Sequence, residues 1–290
     1  MSTVIAGRFS PFLNSHLDEL LRVAADGGAT VVITGAEASR QSRFPWSAPE
    51  REAMIRAALG DMASRVTFQH ADDNPYMGQR PPCPTRDREE AVCAALFTGD
   101  DTTVEAAVPP EVFAALQAFR SFEDYARLVE EARYIADYKA SWNRAPWPPT
   151  FVTVDTFIAC DNHLLLVKRG GQPGRGLWAL PGGFVDQTEW VRDAALRELR
   201  EETGLALSDG DVVTCLTAEK VFDDPWRSAR GRTVTHGFRF DLPGSLPPVA
   251  GGDDAQDARW WPLGDLGRLR GQFLEDHGQM IEYFLTAGRN

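Results

Sequence analysis

A chain of 290 residues, 43% hydrophobic and 25% charged, is long enough for two compact domains and has the composition of an ordinary globular protein. Its net charge of −12 excludes a nucleic-acid-coating role, which needs a basic surplus, but leaves room for an anionic small substrate held by a few arginines or a cation. Four cysteines without a CxxC pair, no apolar run of membrane-spanning length and no basic-then-apolar leader at Met1–Phe9 make a reducing, cytoplasmic setting the expectation, with no membrane partner.

Thr3–Ala6 reads as a short apolar strand, and Asn14–Ala25 places Leu17, Leu20, Leu21 and Val23 at helical spacing. Thr30–Ile33 is a β-branched run ending near Gly35, as in a buried parallel strand. Ser47 and Glu50 form a capping box that opens a helix through Leu59, and Val66–Phe68 is a third strand. This β-α-β-α-β order predicts a small α/β layer on a parallel sheet. Asp72–Arg88 is proline-rich and irregular, and helical patterns follow at Arg86–Leu96, Pro110–Phe119 and Phe122–Tyr138. Pro146, Pro148 and Pro149 stop any helix and mark a junction. Strands are then expected at Phe151–Ala159 and His163–Val167, joined by the Asp161-Asn162 turn. A helix over Glu189–Thr203, strands at Val212–Phe222 and Arg232–Leu242, and a helix over Asp276–Leu285 complete the reading. The expected division is an α/β domain over 1–119, a helical linker over 120–148 and a second α/β domain over 149–290.

From Gly183 the chain reads G-x5-E-x7-R-E-L-x-E-E-x-G-L, with Glu189, Arg197, Glu198, Glu201, Glu202 and Gly204 at fixed positions. On a helix, Glu198, Glu201 and Glu202 stand at i, i+3 and i+4 and share one face, where each like-charge pair costs about 0.2–0.5 kcal/mol. A hard cation with oxygen ligands removes that repulsion. The preceding Pro181-Gly182-Gly183 loop allows a backbone carbonyl to approach the same cation. Arg197 is expected off the carboxylate face, pairing with Glu189 at the helix start. A solvated acidic surface helix would explain a single Glu-Glu pair but not the full spacing.

This motif resembles the Nudix box. The resemblance implies an α/β/α sandwich with a mixed sheet and Mg2+ or Mn2+ as cofactor, with water attacking phosphorus in line. It implies that Glu198 and Glu202 are metal ligands, that Glu201 is a ligand or orients the water, and that Gly182 offers its carbonyl. The flanking segments at 134–156, GQPGRGLWALPGGF and VFDDPWRSARGRTVTHGF, resemble the Nudix half of bifunctional nicotinamide-mononucleotide adenylyltransferase/ADP-ribose pyrophosphatases. Arg227, Arg230 and Arg232 then become candidates for gripping phosphate or ribose oxygens, with Asp223 and Asp224 orienting them. Asp253 or Asp254, on the acidic Gly251–Asp254 loop, is the candidate general base. Trp178 and Trp260 read as core residues.

Gly7-Arg8-Phe9-Ser10-Pro11-Phe12-Leu13-Asn14-Ser15-His16 is similar to the adenylyltransferase signature GRFxPxHxGH, whose histidines and glycine hold ATP phosphates at a helix N-terminus. Leu13 replaces the first histidine and Ser15 the glycine; Arg8 and His16 remain. The expectation is a Rossmann-like, nucleotidyltransferase-type domain that has lost transferase activity and serves as a structural or homodimerising platform. The expected reaction is Mg2+-dependent hydrolysis of ADP-ribose to AMP and ribose 5-phosphate. The alternatives are NADH, NAD-capped RNA or dinucleoside polyphosphates as substrates, a non-hydrolysing ADP-ribose sensor, and an active bifunctional adenylyltransferase. The intact box carboxylates weigh against the sensor.

Overall fold

The computed structural model describes residues 3–77 and 85–287, so Cys83 and the middle of the proline-rich stretch lie outside the described residues. Two compact units divide the chain, Met1–Tyr134 and Ile135–Asn290.

The first unit is built on a parallel sheet of β1 (Thr3–Gly7), β2 (Ala29–Ile33) and β3 (Val66–His70) in the order β1-β2-β3. Helices α1 (Asn14–Ala25) and α2 (Ala48–Leu59) supply the crossovers that parallel pairing requires. Ala29, Val31 and Ile33 of β2 are buried in one core with Leu20 and Val23 of α1 and Met54, Ile55 and Leu59 of α2. The Ser47 backbone N–H donates to Glu50 Oε2 at 2.7 Å, the contact expected of the capping box. Helices α3 (Arg86–Thr98), α4 (Asp101–Ala107), α5 (Pro110–Phe119) and α6 (Tyr125–Ser141) follow, and the boundary between the units falls inside α6. The sequence reading misses α4. It is seven residues long, buries only Val104, and starts from an Asp100 side chain that accepts the Thr103 N–H, so it has no apolar stripe to read.

The second unit holds a mixed sheet. Strands β4 (Thr150–Cys160), β5 (His163–Arg169), β8 (Leu216–Phe222), β9 (Arg232–Leu242) and β10 (Ala255–Pro262) run in the order β10-β5-β4-β9-β8. Short strands β6 (Trp178–Ala179) and β7 (Gly182–Phe184) pair with β5 and β4. β4 and β9 are parallel over eleven residue pairs, and the other pairings are antiparallel. Alternate residues of β4 face opposite ways. Val154 and Ile158 pack with Ala194, Ala195 and Leu199 of α7 (Val191–Thr203). Phe157 faces the other side and meets Phe284 of α9 (His277–Ala287), ring centroids 5.5 Å apart. Helices therefore cover both faces, which makes this unit an α/β sandwich.

The strand expected over Val212–Phe222 begins only at Leu216. Asp209–Cys215 is a helix, α8, whose Ser208 cap accepts the Asp211 N–H and whose Asp211 carboxylate takes the Ser208 N–H. This reciprocal cap overrides the β-branched preference of Val212 and Val213. The box helix starts at Val191, two residues later than expected, with Trp190 as its N-cap. Among the described residues no helix is long and apolar enough to cross a membrane.

Phe284 is fully buried between Phe157 and Phe222. Phe284→Ala should lower the unfolding free energy of the protein by about 3–5 kcal/mol, read as a shift in the urea midpoint. A change within experimental error would show that α9 does not depend on this contact.

Candidate active site

Helix α7 projects its three glutamates as the helical spacing dictates, but their surroundings differ. Glu202 is 2% exposed, and its Oε2 accepts the Gly182 N–H at 2.9 Å. Burial raises its pKa well above the usual carboxylate range, and the hydrogen-bonded Asp254 carboxyl and the Glu198 charge push it the same way. The Glu198 pKa is raised as well, by burial first, although its Arg197 partner opposes the shift. Glu201 is the exposed member of the three.

Arg197 departs from the expected placement. Its Nε and Nη2 hold Glu189 at 3.0 and 2.6 Å and Nη2 also donates to the Phe184 carbonyl, tying the loop to the helix. Nη1, however, donates to Glu198 at 2.8 Å and to Glu201 at 3.0 Å, so the guanidinium lies on the carboxylate face and not off it. The hydrogen bonds to Glu189 are the largest influence raising the Arg197 pKa, and the same bonds lower that of Glu189. Nε and Nη2 anchor the side chain to Glu189 and Phe184, and the rigid plane of the guanidinium then directs Nη1 at Glu198 and Glu201.

The glycines of the preceding loop are fixed by close approach. A Cβ at residue 183 would stand 2.4 Å from Glu198 Oε1, and one at residue 182 would stand 2.1 Å from the Val154 carbonyl oxygen. The Gly251–Asp254 loop is pinned. Ala250 and Gly252 donate to the carbonyls of Thr203 and Glu202 at the end of α7, and a Cβ at residue 252 would meet the Glu201 carbonyl oxygen at 2.5 Å. The Asp254 carbonyl accepts the Gly170 N–H at 2.8 Å, and its carboxylate lies 3.4 Å from Arg169. Both aspartates are exposed, but Asp254 stands beside Glu202, whereas Asp253 sits at φ 51°.

The donor set fits a hard divalent cation. Buried Glu202 has Asp254 and Glu198 as acidic neighbours, and no ion pair among the described residues involves Glu202. Among the described residues no three such side chains already converge at ligating distance, and Arg197 Nη1 stands between Glu198 and Glu201.

The three candidate arginines part company. Arg227 is 5% exposed and is spent inside the protein. Its Nε and Nη2 bind Asp276 at 3.0 Å each, and it also donates to Thr235 Oγ1 and contacts the Met280 sulfur. The expectation that Arg227 grips substrate is corrected on this point. Arg232 donates to the Asp223 carbonyl. Asp224 caps the turn through the Trp226 N–H and does not orient an arginine. Arg230 lies over the Phe184 ring, 4.9 Å from its centroid, directly after the Gly182-Gly183 pair, and its buried Nε has no hydrogen-bond acceptor in the protein. Trp178 is buried edge-on against Trp261, and Trp260 donates from Nε1 to the Pro247 carbonyl, so both serve the interior.

Sequence reasoning missed two residues beneath the loop. Asp155 on β4 pairs in register with Gly182, and burial pushes its carboxyl up to about 8 despite Arg227 at 3.9 Å. His277 accepts the Leu180 N–H at 3.0 Å, and burial lowers its pKa to about 3. The only sequence signal for Asp155 was a charged residue inside an otherwise apolar strand.

Residues 149–284 match the NUDIX domain family. The ADP-ribose pyrophosphatase of Methanocaldococcus jannaschii is 36% identical over 134 residues, which cover 46% of this chain and 72% of that protein. The chain belongs to the Nudix family. It is a Nudix pyrophosphohydrolase, and its box is complete. Over the full length, the crystal structure of a bifunctional NMN adenylyltransferase/ADP ribose pyrophosphatase from Francisella tularensis matches at TM-score 0.89 and 28% identity, covering 99% of this chain and 100% of that one. A second structure from that organism, complexed with AMP and Mn ion, matches with the same score, identity and coverage. The N-terminal unit is thus of the nucleotidyltransferase type.

In that unit the signature residues are consumed internally. His16 Nδ1 accepts the Leu13 N–H at 3.0 Å, and its Nε2 meets Thr85 Oγ1 at 2.8 Å. Thr85 passes the chain on to Glu89 Oε1 at 3.0 Å, and Glu89 Oε2 accepts the Ser10 N–H at 3.2 Å. Burial lowers the His16 pKa to about 4 and raises that of Glu89. Arg8 stacks on Phe44 and pairs with Asp73 at 3.4 Å.

Glu202→Gln and Glu198→Gln should each keep the wild-type fold, because an amide is easier to bury than a carboxylate, and should each lose roughly a hundredfold or more in kcat. Turnover with Mg2+ and a thermal melt check both halves of the expectation. Near-normal kcat with a normal melt in Glu202→Gln would defeat the ligand assignment.

Proposed function

We propose that this Nudix enzyme hydrolyses ADP-ribose, adding one water across the diphosphate linkage to give AMP and ribose 5-phosphate, with Mg2+ or Mn2+ held at the box. The observation that carries the substrate is the 36% identity to an ADP-ribose pyrophosphatase across 72% of that protein's length. The metal reading is supported by the carboxylate donor set and by the Mn ion in the Francisella tularensis structure. When bound, the cation supplies charge neutralisation at the diphosphate and lowers the pKa of the attacking water.

The protein's own residues divide the remaining work. Glu198 and Glu202 hold the cation, with Gly182 offering its carbonyl and Glu201 the third carboxylate of the face. Asp254, beside Glu202 and steered by Arg169, is the base that takes the water proton, in preference to Asp253. Arg230 holds a phosphate or ribose oxygen from its seat on Phe184, and Arg232 contributes charge at the loop's edge. The complete set of box carboxylates favours hydrolysis over a purely sensing role.

For the N-terminal unit, with residues 1–119 as its platform and 120–148 as linker, we infer loss of adenylyltransferase activity. Leu13 has no donor to offer a phosphate, and the Glu89 carboxylate accepts the Ser10 amide that a phosphate would need. A structural role, including homodimer formation, is the reading that remains for it.

Arg230→Ala should lower kcat/KM for ADP-ribose roughly tenfold to a hundredfold and leave the melting temperature unchanged. Product-identified assays should rank ADP-ribose above NADH, NAD+ and dinucleoside polyphosphates. A much higher kcat/KM for any of these would displace the substrate while leaving the reaction class intact.

The Glu202→Gln protein incubated with nicotinamide mononucleotide, ATP and Mg2+ should form no NAD+ above the uncatalysed background. Steady accumulation at an enzyme-like rate would make the protein bifunctional.

A further inference from the structure

We propose that His277 is a positioning residue for the metal loop, acting through the backbone amide of Leu180. The proposal rests on the reading that Gly182, Glu198 and Glu202 hold the cation, and its test separates the two.

The imidazole stands at the first residue of α9, 6% exposed, and its Nδ1 accepts the Leu180 N–H at 3.0 Å. With Nδ1 an acceptor, a neutral ring carries its proton on Nε2. That nitrogen lies 3.9 Å from Asp155 Oδ1. The same Oδ1 lies 2.6 Å from where a Cβ on Gly182 would stand. His277 thus reaches the loop at two points, directly at residue 180 and through Asp155 beneath residue 182.

The surrounding structure holds the ring in place. Leu274 N–H donates to the Trp178 carbonyl at 2.8 Å, and Trp178 N–H donates to the Gln272 carbonyl at 2.9 Å, so the segment before α9 runs alongside β6. Asp276, next in sequence to His277, is gripped by both Nε and Nη2 of Arg227. Arg227, Glu275, Arg169 and Arg230 are the other charged groups that act on the ring, and burial among them keeps it neutral. Leu180 is itself buried at 1% exposure, so its N–H has no access to water if the acceptor is removed.

An acceptor on the γ-branch is therefore the property that matters. Asparagine places Oδ1 near the position of the histidine Nδ1, glutamine places its oxygen one bond farther out, and leucine has no acceptor.

The experiment uses the full chain and Mn2+ as the probe, with free Mn2+ followed by electron paramagnetic resonance and the fold by thermal melting. His277→Leu should bind Mn2+ about tenfold more weakly than wild type, and His277→Asn should stay within about twofold, as expected when a partner behind a ligand is lost or kept. Should the leucine variant not fold, His277→Gln replaces it and should show the same weakening. Wild-type affinity in a folded leucine or glutamine variant overturns the proposal. So does an asparagine variant that folds yet binds as weakly as the leucine one. Glu202→Gln is the control: equal Mn2+ binding by it and by wild type overturns the box reading, and the His277 proposal with it, before the His277 variants are compared.

Discussion

A carboxylate buried beside other carboxylates is the constraint on which the C-terminal unit depends. Glu202 has one backbone N–H, from Gly182, and two acidic neighbours, Asp254 and Glu198. Left alone, such a group neutralises itself, and its raised pKa expresses that tendency. The fold nevertheless delivers it there by rigid means. The pairing of β7 with β4 fixes Gly182, α7 fixes Glu198 and Glu202, and the 250–252 loop is bonded to the last carbonyls of α7 and so brings Asp254 to the same point. Oxygen-rich clusters of this kind are the chemistry that a hard divalent cation prefers.

The parts of this arrangement that a single helix encodes were open to sequence reading, since i, i+3 and i+4 spacing needs no knowledge of the rest of the chain. The Arg197 contact with Glu201 was equally local, at i+4, and the expectation of an arginine off the face overlooked it. The α8 helix had its signal too, because Ser208 and Asp211 stand at capping-box spacing ahead of the β-branched run. Arg227 is different in kind. Its partner Asp276 lies 49 positions later, and nothing in the arginine-rich loop distinguishes the residue that turns inward from those that do not. His277 and the pinning of Asp254 are likewise tertiary facts, set by strand order that the local pattern does not contain.

In the N-terminal unit the protein's own side chains occupy the carboxyl ends of the parallel strands. In open parallel sheets, ligands occupy the crevice beyond the carboxyl ends of the strands. Here that edge is filled by Arg51, fully buried, whose guanidinium donates to the carbonyls of Arg8, Thr34 and Gly35 just past the ends of β1 and β2. Burial lowers its pKa to about 10, yet it stays cationic at neutral pH, and Glu89 supplies part of the balancing charge. The helix terminus that would receive a phosphate is occupied as well, by the His16 ring on the Leu13 amide and Glu89 on the Ser10 amide. These hydrogen bonds satisfy the buried groups within the protein itself.

Arg227 and Arg230 come from one short segment but do opposite things, and the difference explains how the metal loop is seated. A buried ion pair such as Arg227 with Asp276 contributes little net stability, because removing both charges from water offsets their attraction. What it does contribute is direction. The two-point bond to Asp276 orients the start of α9, which sets the adjacent His277 ring against the Leu180 amide. A well-packed apolar pair of similar volume in its place would serve stability equally well but would supply no such direction. Arg230, three residues on, faces the loop from the Phe184 ring with a donor to spare. The loop is thus held from below by His277 and Asp155, while Arg230 faces it from the Phe184 side.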